Sequence, residues 1–279
     1  MDASSQILTA PSLTGRAGGE SSPSSTYRFT VEPFYVDFTG HLFLSVLGNH
    51  LLNAAGNHSH DRGWGIDQLN EVHYTWVLSR MCIELYDMPQ QYEHVEVETW
   101  VESVMKLFTE RNFAIRNADD GHIYGYARSV WAMIDTSTRR PANLLTLHDG
   151  DILRYVIPAE EKPCPIERYK AVSPLSPTPT LLNIPLIPNY SDIDINGHVN
   201  SVKYIEHVLD IFPLQKFEHQ RIRRFEIAYK SEAFITDPLH LLCQETDGEH
   251  HVEIRKNVGS EARPDGEMVV QARVLWQES

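Results

Sequence analysis

Two stretches of this chain, 157 residues apart, spell the same turn leading into a helix. Asp37-Phe-Thr-Gly-His41-Leu aligns with Asp194-Ile-Asn-Gly-His198-Val, and the same offset pairs His50 with His207 and Leu52 with Leu209. Five identities in one sixteen-residue register, inside the same order of strand, helix and strands, predict an internal duplication. Each half must then bury the apolar face of one helix against its own antiparallel sheet. Two such units satisfy one another by packing side by side as a pseudo-dimer.

The periodicities fill in this plan. Residues 1–26, rich in Ser, Gly and Pro, read as a disordered tail, with order starting near Tyr27. Leu44, Leu47, Leu51 and Ala55 fall on one helix face, and Gly63 and Gly65 end the segment. Val95, Val97, Thr99 and Val101 alternate with Glu96, Glu98, Trp100 and Glu102, the period of a strand. Strand-like runs near 107–117 and 122–135 flank the hairpin signal Asn117-Ala-Asp-Asp-Gly121. A proline-dense stretch, 138–183, predicts a linker with one short helix near 146–155. Beyond it, Val199, Val202, Ile205, Leu209 and Phe212 mark a second amphipathic helix, with Asn200 as N-cap and Pro213 as stop. The expected division is a first domain over 27–137, the linker over 138–183 and a second domain over 184–279.

Charge and cysteine content narrow the function. A formal net charge of −14 argues against general nucleic-acid binding, which needs a basic footprint. No apolar run approaches the roughly 18 residues of a membrane helix, and no basic-then-apolar leader opens the chain. Three widely spaced cysteines, Cys82, Cys164 and Cys243, make no disulfide framework and fit a reducing cytoplasm. His58-Ser-His60-Asp61 has metal-ligand residue types, but its spacing matches no zinc pattern and reads as a polar helix end.

The segment Asp192-Ile-Asp194-Ile-Asn196-Gly-His198-Val-Asn200-Ser-Val-Lys-Tyr204 resembles the D-x-N-x-H-V-N-x-x-x-Y signature of the fatty acyl-ACP thioesterases of plants and bacteria. Gly63-Trp-Gly65, Trp76-Val-Leu-Ser-Arg80-Met81, Val95-Glu-Val-Glu-Thr-Trp100-Val and Thr138-Arg139-Arg140 are similar to further segments of that family, in the same order. The resemblance covers residues 27–140 and 184–277. It implies an α+β double hotdog fold: two fused domains, each a long helix wrapped by an antiparallel sheet. It also implies hydrolysis of fatty acyl-ACP to free fatty acid and holo-ACP, which ends chain synthesis, with no metal or organic cofactor. Asp194, Asn196 and His198 match the family's catalytic residues. Tyr229-Lys-Ser-Glu232 matches the context of a further catalytic carboxylate, Glu232. Plant members carry Cys after this Glu, whereas this chain has Ala233, so a cysteine nucleophile has no place there and activated water is the simplest alternative.

These residue types suit the reaction. A thiolate leaves readily, so the main needs are a positioned water beside a base and donors aimed at the developing oxyanion. Glu232 or His198 can be that base, Asn196 can hold water or the carbonyl, and Asp194 can orient one of them. The Gly197 N–H is a further candidate donor. The first-half copy has Thr39 where the second has Asn196, so the first half is expected to shape the acyl pocket, through Leu47, Leu51, Ala55, Trp76 and Met81. An acidic carrier protein needs a local basic patch, and Arg139, Arg140, Arg221, Arg223, Arg224 and Lys230 are candidates. A homodimer is compatible with this plan. Two other functions compete: a hotdog hydratase or dehydratase of acyl thioesters, and a non-catalytic acyl-binding module.

Overall fold

The computed structural model describes residues 22–171, 173–175, 181–259 and 265–278. In the first half lie β1 (Ser24–Thr30), α1 (Leu44–His60), α2 (Ile66–Asn70), β2 (Tyr74–Leu85), β3 (His94–Val104), β4 (Phe108–Asn117) and β5 (Ile123–Asp135). The second half contributes β6 (Leu182–Leu186), α3 (Ser201–Leu209), α4 (Leu214–His219), β7 (Gln220–Tyr229), β8 (Leu239–Thr246), β9 (Glu249–Lys256) and β10 (Glu267–Glu278). The strands form one ten-stranded antiparallel sheet in the order β1-β3-β4-β5-β2-β7-β10-β9-β8-β6. Read from either edge, that order is the same motif, which is the double hotdog.

The duplication holds in detail. A 3₁₀ turn spans Pro33–Tyr35 in the first half and Tyr190–Asp192 in the second, and α1 and α3 start at Leu44 and Ser201, all at the 157-residue offset. The halves meet at β2 and β7, where Met81 pairs with Ile227, Cys82 with Glu226 and Ile83 with Phe225. Exchanging the halves maps this register onto itself about the Cys82–Glu226 pair, so a pseudo-two-fold axis passes between them. Cys82 and Glu226 are 144 apart rather than 157, because thirteen more residues separate helix start and central strand in the first half.

One apolar layer serves both halves. Leu44, Leu47 and Leu51 of α1 and Val202, Ile205 and Val208 of α3 share a single buried cluster with the helix-facing strand residues. Each such side chain contributes roughly 1.5–3 kcal/mol by leaving water. Gly48 lets the helices approach: a Cβ there would stand 3.0 Å from Ile205 Cδ1.

The opposite face of the sheet carries charge, and the proline-rich stretch straps across it. Arg128 donates to the carbonyls of Cys164 and Ile166, and Arg224 to those of Glu167 and Arg168. Farther on, the Leu175 N–H donates to Glu253. Thus the polar residues of an alternating strand pair with the strap's main chain rather than with water. The strap holds a 3₁₀ segment, Leu147–Tyr155, but its prolines leave it outside the sheet.

Three details differ from the periodicity. β1 begins at Ser24, not Tyr27, because pairing of Ser24 with Trp100 on β3 recruits polar residues that alternation does not mark. The remainder of the expected tail, 1–21, lies outside the described residues. His58, expected at a polar helix end, is 1% exposed, because the last turn of α1 is covered by residues 22–25 and the sheet.

Candidate active site

The turn before α3 is built by Asp194. Its Oδ1 accepts the main-chain N–H of Asn196 at 2.8 Å and of His198 at 3.1 Å, while its own N–H donates to the His198 carbonyl at 2.8 Å. Gly197 takes φ of +80°, which its missing Cβ permits, and its N–H donates to the Asp194 carbonyl at 3.0 Å. The Gly197 N–H is therefore consumed by the turn, which corrects its reading as an oxyanion donor. Asp194 likewise acts on main chain, positioning its neighbours through the loop rather than through their side chains.

Asn200 then caps α3, its Oδ1 accepting the Val202 N–H at 3.0 Å. The Val199 N–H donates to the Ala233 carbonyl, and His198 bridges to Phe234, which fastens the turn to the segment after β7. As a result His198 Nε2 stands 3.5 Å from Glu232 Oε2. The His198 ring also meets the Phe234 ring edge-on, at 4.9 Å between centroids. The Asn196 side chain is exposed, and its amide has no hydrogen-bond partner among the described residues.

A guanidinium from the other half completes the constellation. Arg139, in the turn after β5 with φ of +58°, reaches both Glu232 oxygens at 2.6 Å. Lys256 of β9 donates to the Glu232 carbonyl at 2.6 Å. The sequence pointed to Arg139 only as a docking residue. Its place in the Thr138-Arg139-Arg140 segment was the signal available, but nothing in one dimension joins residues 139 and 232.

Asp194, Asn196, His198 and Glu232 all line one cavity of about 1280 Å³. From this mouth the cavity runs into the first half between α1 and the helix-facing side of the sheet. Ala55 and Trp76 line it, with Leu52, Leu78, Trp131 and Ile152. Leu47, Leu51 and Met81 do not: each is at most 1% exposed within the core shared with α3, which corrects their reading as pocket residues. The Tyr204 hydroxyl, buried without a partner on the cavity wall, was not singled out as a functional group.

The basic candidates divide in the same way. Arg224 is 5% exposed and pairs with Glu84 at 2.6 Å and Glu226 at 2.7 Å, so it is a structural residue and not a docking one. Arg221 pairs with Asp87, and Arg223 with Glu84 and the Leu85 carbonyl. Arg140 and Lys230 are exposed, and Lys230 lines the mouth.

No cysteine is poised as a nucleophile. All three are buried free thiols. Burial pushes Cys82 up to about 12 and Cys243 up to about 11, and raises Cys164. Ala233, 0% exposed, occupies the position after Glu232.

The first half reproduces the turn with different side chains. Asp37 Oδ1 accepts the Thr39 N–H at 2.8 Å, Gly40 takes φ of +82°, and the Leu42 N–H donates to the Pro89 carbonyl as Val199 does to Ala233. That equivalence places Met88 where the second half has Glu232. The Thr39 hydroxyl, at 2.6 Å from Asp37 and 2.8 Å from His41, occupies the groups that Asn196 leaves open.

Comparison with known proteins agrees with this architecture. Family models described as the acyl-ACP thioesterase N-terminal and C-terminal domains match residues 24–146 and 180–278. The crystal structure of an acyl-ACP thioesterase from Bacteroides thetaiotaomicron is 50% identical, covers 91% of this chain and 98% of its own, and superposes with a TM-score of 0.81. The 12:0-ACP thioesterase from Umbellularia californica shares the fold at 22% identity, with a TM-score of 0.78 over 94% of this chain and 100% of its own. Among curated relatives, oleoyl-acyl carrier protein thioesterase 2 of Arabidopsis thaliana is 27% identical over 74% of this chain, which spans 58% of that protein's length. With both domain models matched in order across four-fifths of its length, the chain belongs to the acyl-ACP thioesterase family.

Proposed function

We propose that this protein hydrolyses the thioester of fatty acyl-ACP, releasing free fatty acid and holo-ACP. The observation that carries the reading is the convergence of Asn196, His198 and Glu232, from two separate segments, at the mouth of one large cavity whose walls are mainly apolar. Glu232 takes a proton from water as that water attacks the thioester carbonyl. Asn196 and His198 face the developing oxyanion; as it collapses the carbon–sulfur bond breaks, and the proton on Glu232 passes to the departing thiolate to give holo-ACP. His198 is the other candidate for the base. Arg139 fixes the orientation of the Glu232 carboxylate, and Asp194 holds the turn that presents the other two. The second half performs the chemistry and the first half receives the chain.

Arg140 and Lys230, both exposed, the second lining the mouth and the first next in sequence to Arg139 that does, are the proposed contacts for an acidic carrier. Among the described residues no helix is long and apolar enough to cross a membrane. Three free thiols support the cytoplasm as the proposed compartment.

The test is thiol release from a panel of acyl-ACPs of graded length, with Glu232→Gln and His198→Ala as controls. Loss of enoyl absorbance without thiol release would instead mark a hydratase. Binding without turnover would mark an acyl carrier module.

A further inference from the structure

The first-half turn carries an exposed aromatic surface. Phe34 is 93% exposed and Tyr92 67%, and Tyr35, Phe38 and Phe43 are each about half exposed. Two segments that hydrogen-bond to each other bring these five rings together. The Tyr92 N–H donates to the Val31 carbonyl at 2.9 Å, the Gln91 N–H to the Gly40 carbonyl at 3.2 Å and the Phe43 N–H to the Tyr35 carbonyl at 2.9 Å. At about 200 Å² per ring, the exposed fractions amount to roughly 600 Å². That is the top of the range of about 300–600 Å² for the largest apolar patch on a monomer.

Tyr92 is held there at a backbone cost. Its φ of +71° lies in the left-handed region, where a bulky side chain is an outlier. The turn that imposes this conformation is closed by the Glu93 N–H on the Gln90 carbonyl at 3.1 Å, and glycine would adopt it without strain. The ring gains little packing in return, since most of it faces solvent. Strained residues of this kind cluster at functional sites.

The equivalent surface of the second half has another character. The 157-residue offset puts Ser191, Asp192, Ile195 and Asn200 at the positions of Phe34, Tyr35, Phe38 and Phe43. The pairing that equates Pro89 with Ala233 puts Thr236 at the position of Tyr92. Tyr190, Ile195, Phe234 and Ile235 do expose apolar surface there, but Ile195 shares the cavity mouth with Arg139 and Lys230. Apolar groups among cations suit an acidic carrier. By contrast, the first-half segments 31–43 and 86–93 contain no Lys or Arg and four acids, Glu32, Asp37, Asp87 and Glu93. A surface of that sign repels an acidic carrier and an anionic bilayer. Three of the acids are already engaged: Asp37 by its own turn, Asp87 by Arg221 and Glu93 by the Tyr124 hydroxyl at 2.7 Å. The rings, rather than the charges, are what this surface offers a partner.

We infer that a second copy of this chain covers this surface, in a two-fold dimer centred on Phe34 and Tyr92 of each copy. An isologous contact sets the same rings against one another, and aromatic pairs gain from edge-to-face or offset stacking. Two copies meeting here bury roughly 600 Å² of ring surface each, against about 800 Å² per partner in a stable interface, and the flanking main chain supplies the remainder. The inference goes beyond the thioesterase reading and does not depend on it.

The experiment is sedimentation velocity of the full chain over a range of about 0.1–100 μM. The parent gives a species of twice the chain mass, with a Kd of about a micromolar or less. Glu32 meets its own copy across the two-fold, so the Kd falls as NaCl is raised from about 50 to 500 mM. Phe34→Ser combined with Tyr92→Gly raises the Kd about a hundredfold or more. The monomer of that variant melts no lower than the parental monomer when both are diluted below their Kd, because the serine sits in solvent and the glycine relieves the turn. Tyr190→Ser, on the equivalent surface of the second half, leaves the Kd unchanged. A parent that stays monomeric throughout overturns the inference, as does a dimer that the double variant does not weaken. A monomeric parent that binds phosphatidylcholine vesicles through the same two rings overturns it in favour of a lipid surface.

Discussion

Replacing Glu232 by Gln separates chemistry from stability at one position. The amide keeps an oxygen to accept from Arg139, at the 2.6 Å now held by the carboxylate, but it has no basic electron pair for a water proton. The lost ion pair is solvent-screened, with Arg139 at 58% and Glu232 at 40% side-chain exposure, so its removal costs roughly 0.2–1 kcal/mol. Loss of a general base costs about 10²–10⁴ in rate. At about 1.36 kcal/mol per tenfold, that is roughly 2.7–5.5 kcal/mol of barrier. The variant should therefore melt within a few degrees of the parent while thiol release from a long-chain acyl-ACP falls at least about a hundredfold. The pseudo-symmetry supplies an internal control. Met88→Gln and His41→Ala alter the equivalent positions of the first half, and both should retain more than about a tenth of the activity. A folded Glu232→Gln protein with more than about a tenth of the parental rate would refute the assignment of the base. A stable His41→Ala protein that loses as much as His198→Ala would refute the confinement of the chemistry to the second half.

Other consequences can be measured independently. Glu226 is 0% exposed and accepts from Arg224 Nε at 2.7 Å and Arg273 Nη2 at 2.9 Å. Glu226→Ala leaves two buried guanidinium groups short of a partner and should cost about 3–5 kcal/mol in urea unfolding; a loss below about 1 kcal/mol contradicts this. His58 is pushed down to about 3 by burial and then by Arg111 and Arg62, against an unfolded value near 6.5. Between those values the unfolded chain holds the proton and the folded chain does not. Stability contributed by neutral His58 is complete above pH 6.5 and declines toward pH 3, at up to about 1.4 kcal/mol per unit. His58→Gln should flatten the unfolding profile between pH 6.5 and 4, and parallel profiles argue against a buried neutral imidazole. Gly197→Ala and Gly40→Ala each place a Cβ at φ near +80°, with open space around it, at a backbone cost of about 1–2 kcal/mol. Melting temperatures should fall alike, but thiol release should fall only in Gly197→Ala; equal activities would detach the second turn from the chemistry.

Much of the fold was legible because the duplication repeats local signals. A helix-entry turn made by Asp, Gly and His depends on bonds within five residues, so its two copies could be aligned by reading alone. Alternation exposed β3, strand-like runs exposed β4 and β5, and the spacing of Leu44, Leu47 and Leu51 exposed the buried face of α1. The same spacing misled the choice of pocket residues. A helix face marks what is buried, and a leucine packed against α3 has the same period as one packed against a ligand. Ala55 and Trp76 line the cavity while Leu47, Leu51 and Met81 do not, a distinction that only the tertiary packing makes.

By itself the sequence determined two helix-and-sheet units, the turn Asp194 to His198, the absence of a cysteine after Glu232, and the family. These rest on short-range bonds, period and residue identity. Only the tertiary structure decided that Arg139 of one half grips Glu232 of the other, that Met88 stands at the equivalent of Glu232 in the first half, and that Arg224 is a buried structural ion. It alone brought five exposed aromatic rings together beside the first-half turn. Each of these depends on strand register and on contacts between residues tens of positions apart. Charge acquires its role from what it faces, and what a side chain faces is a property of the folded chain.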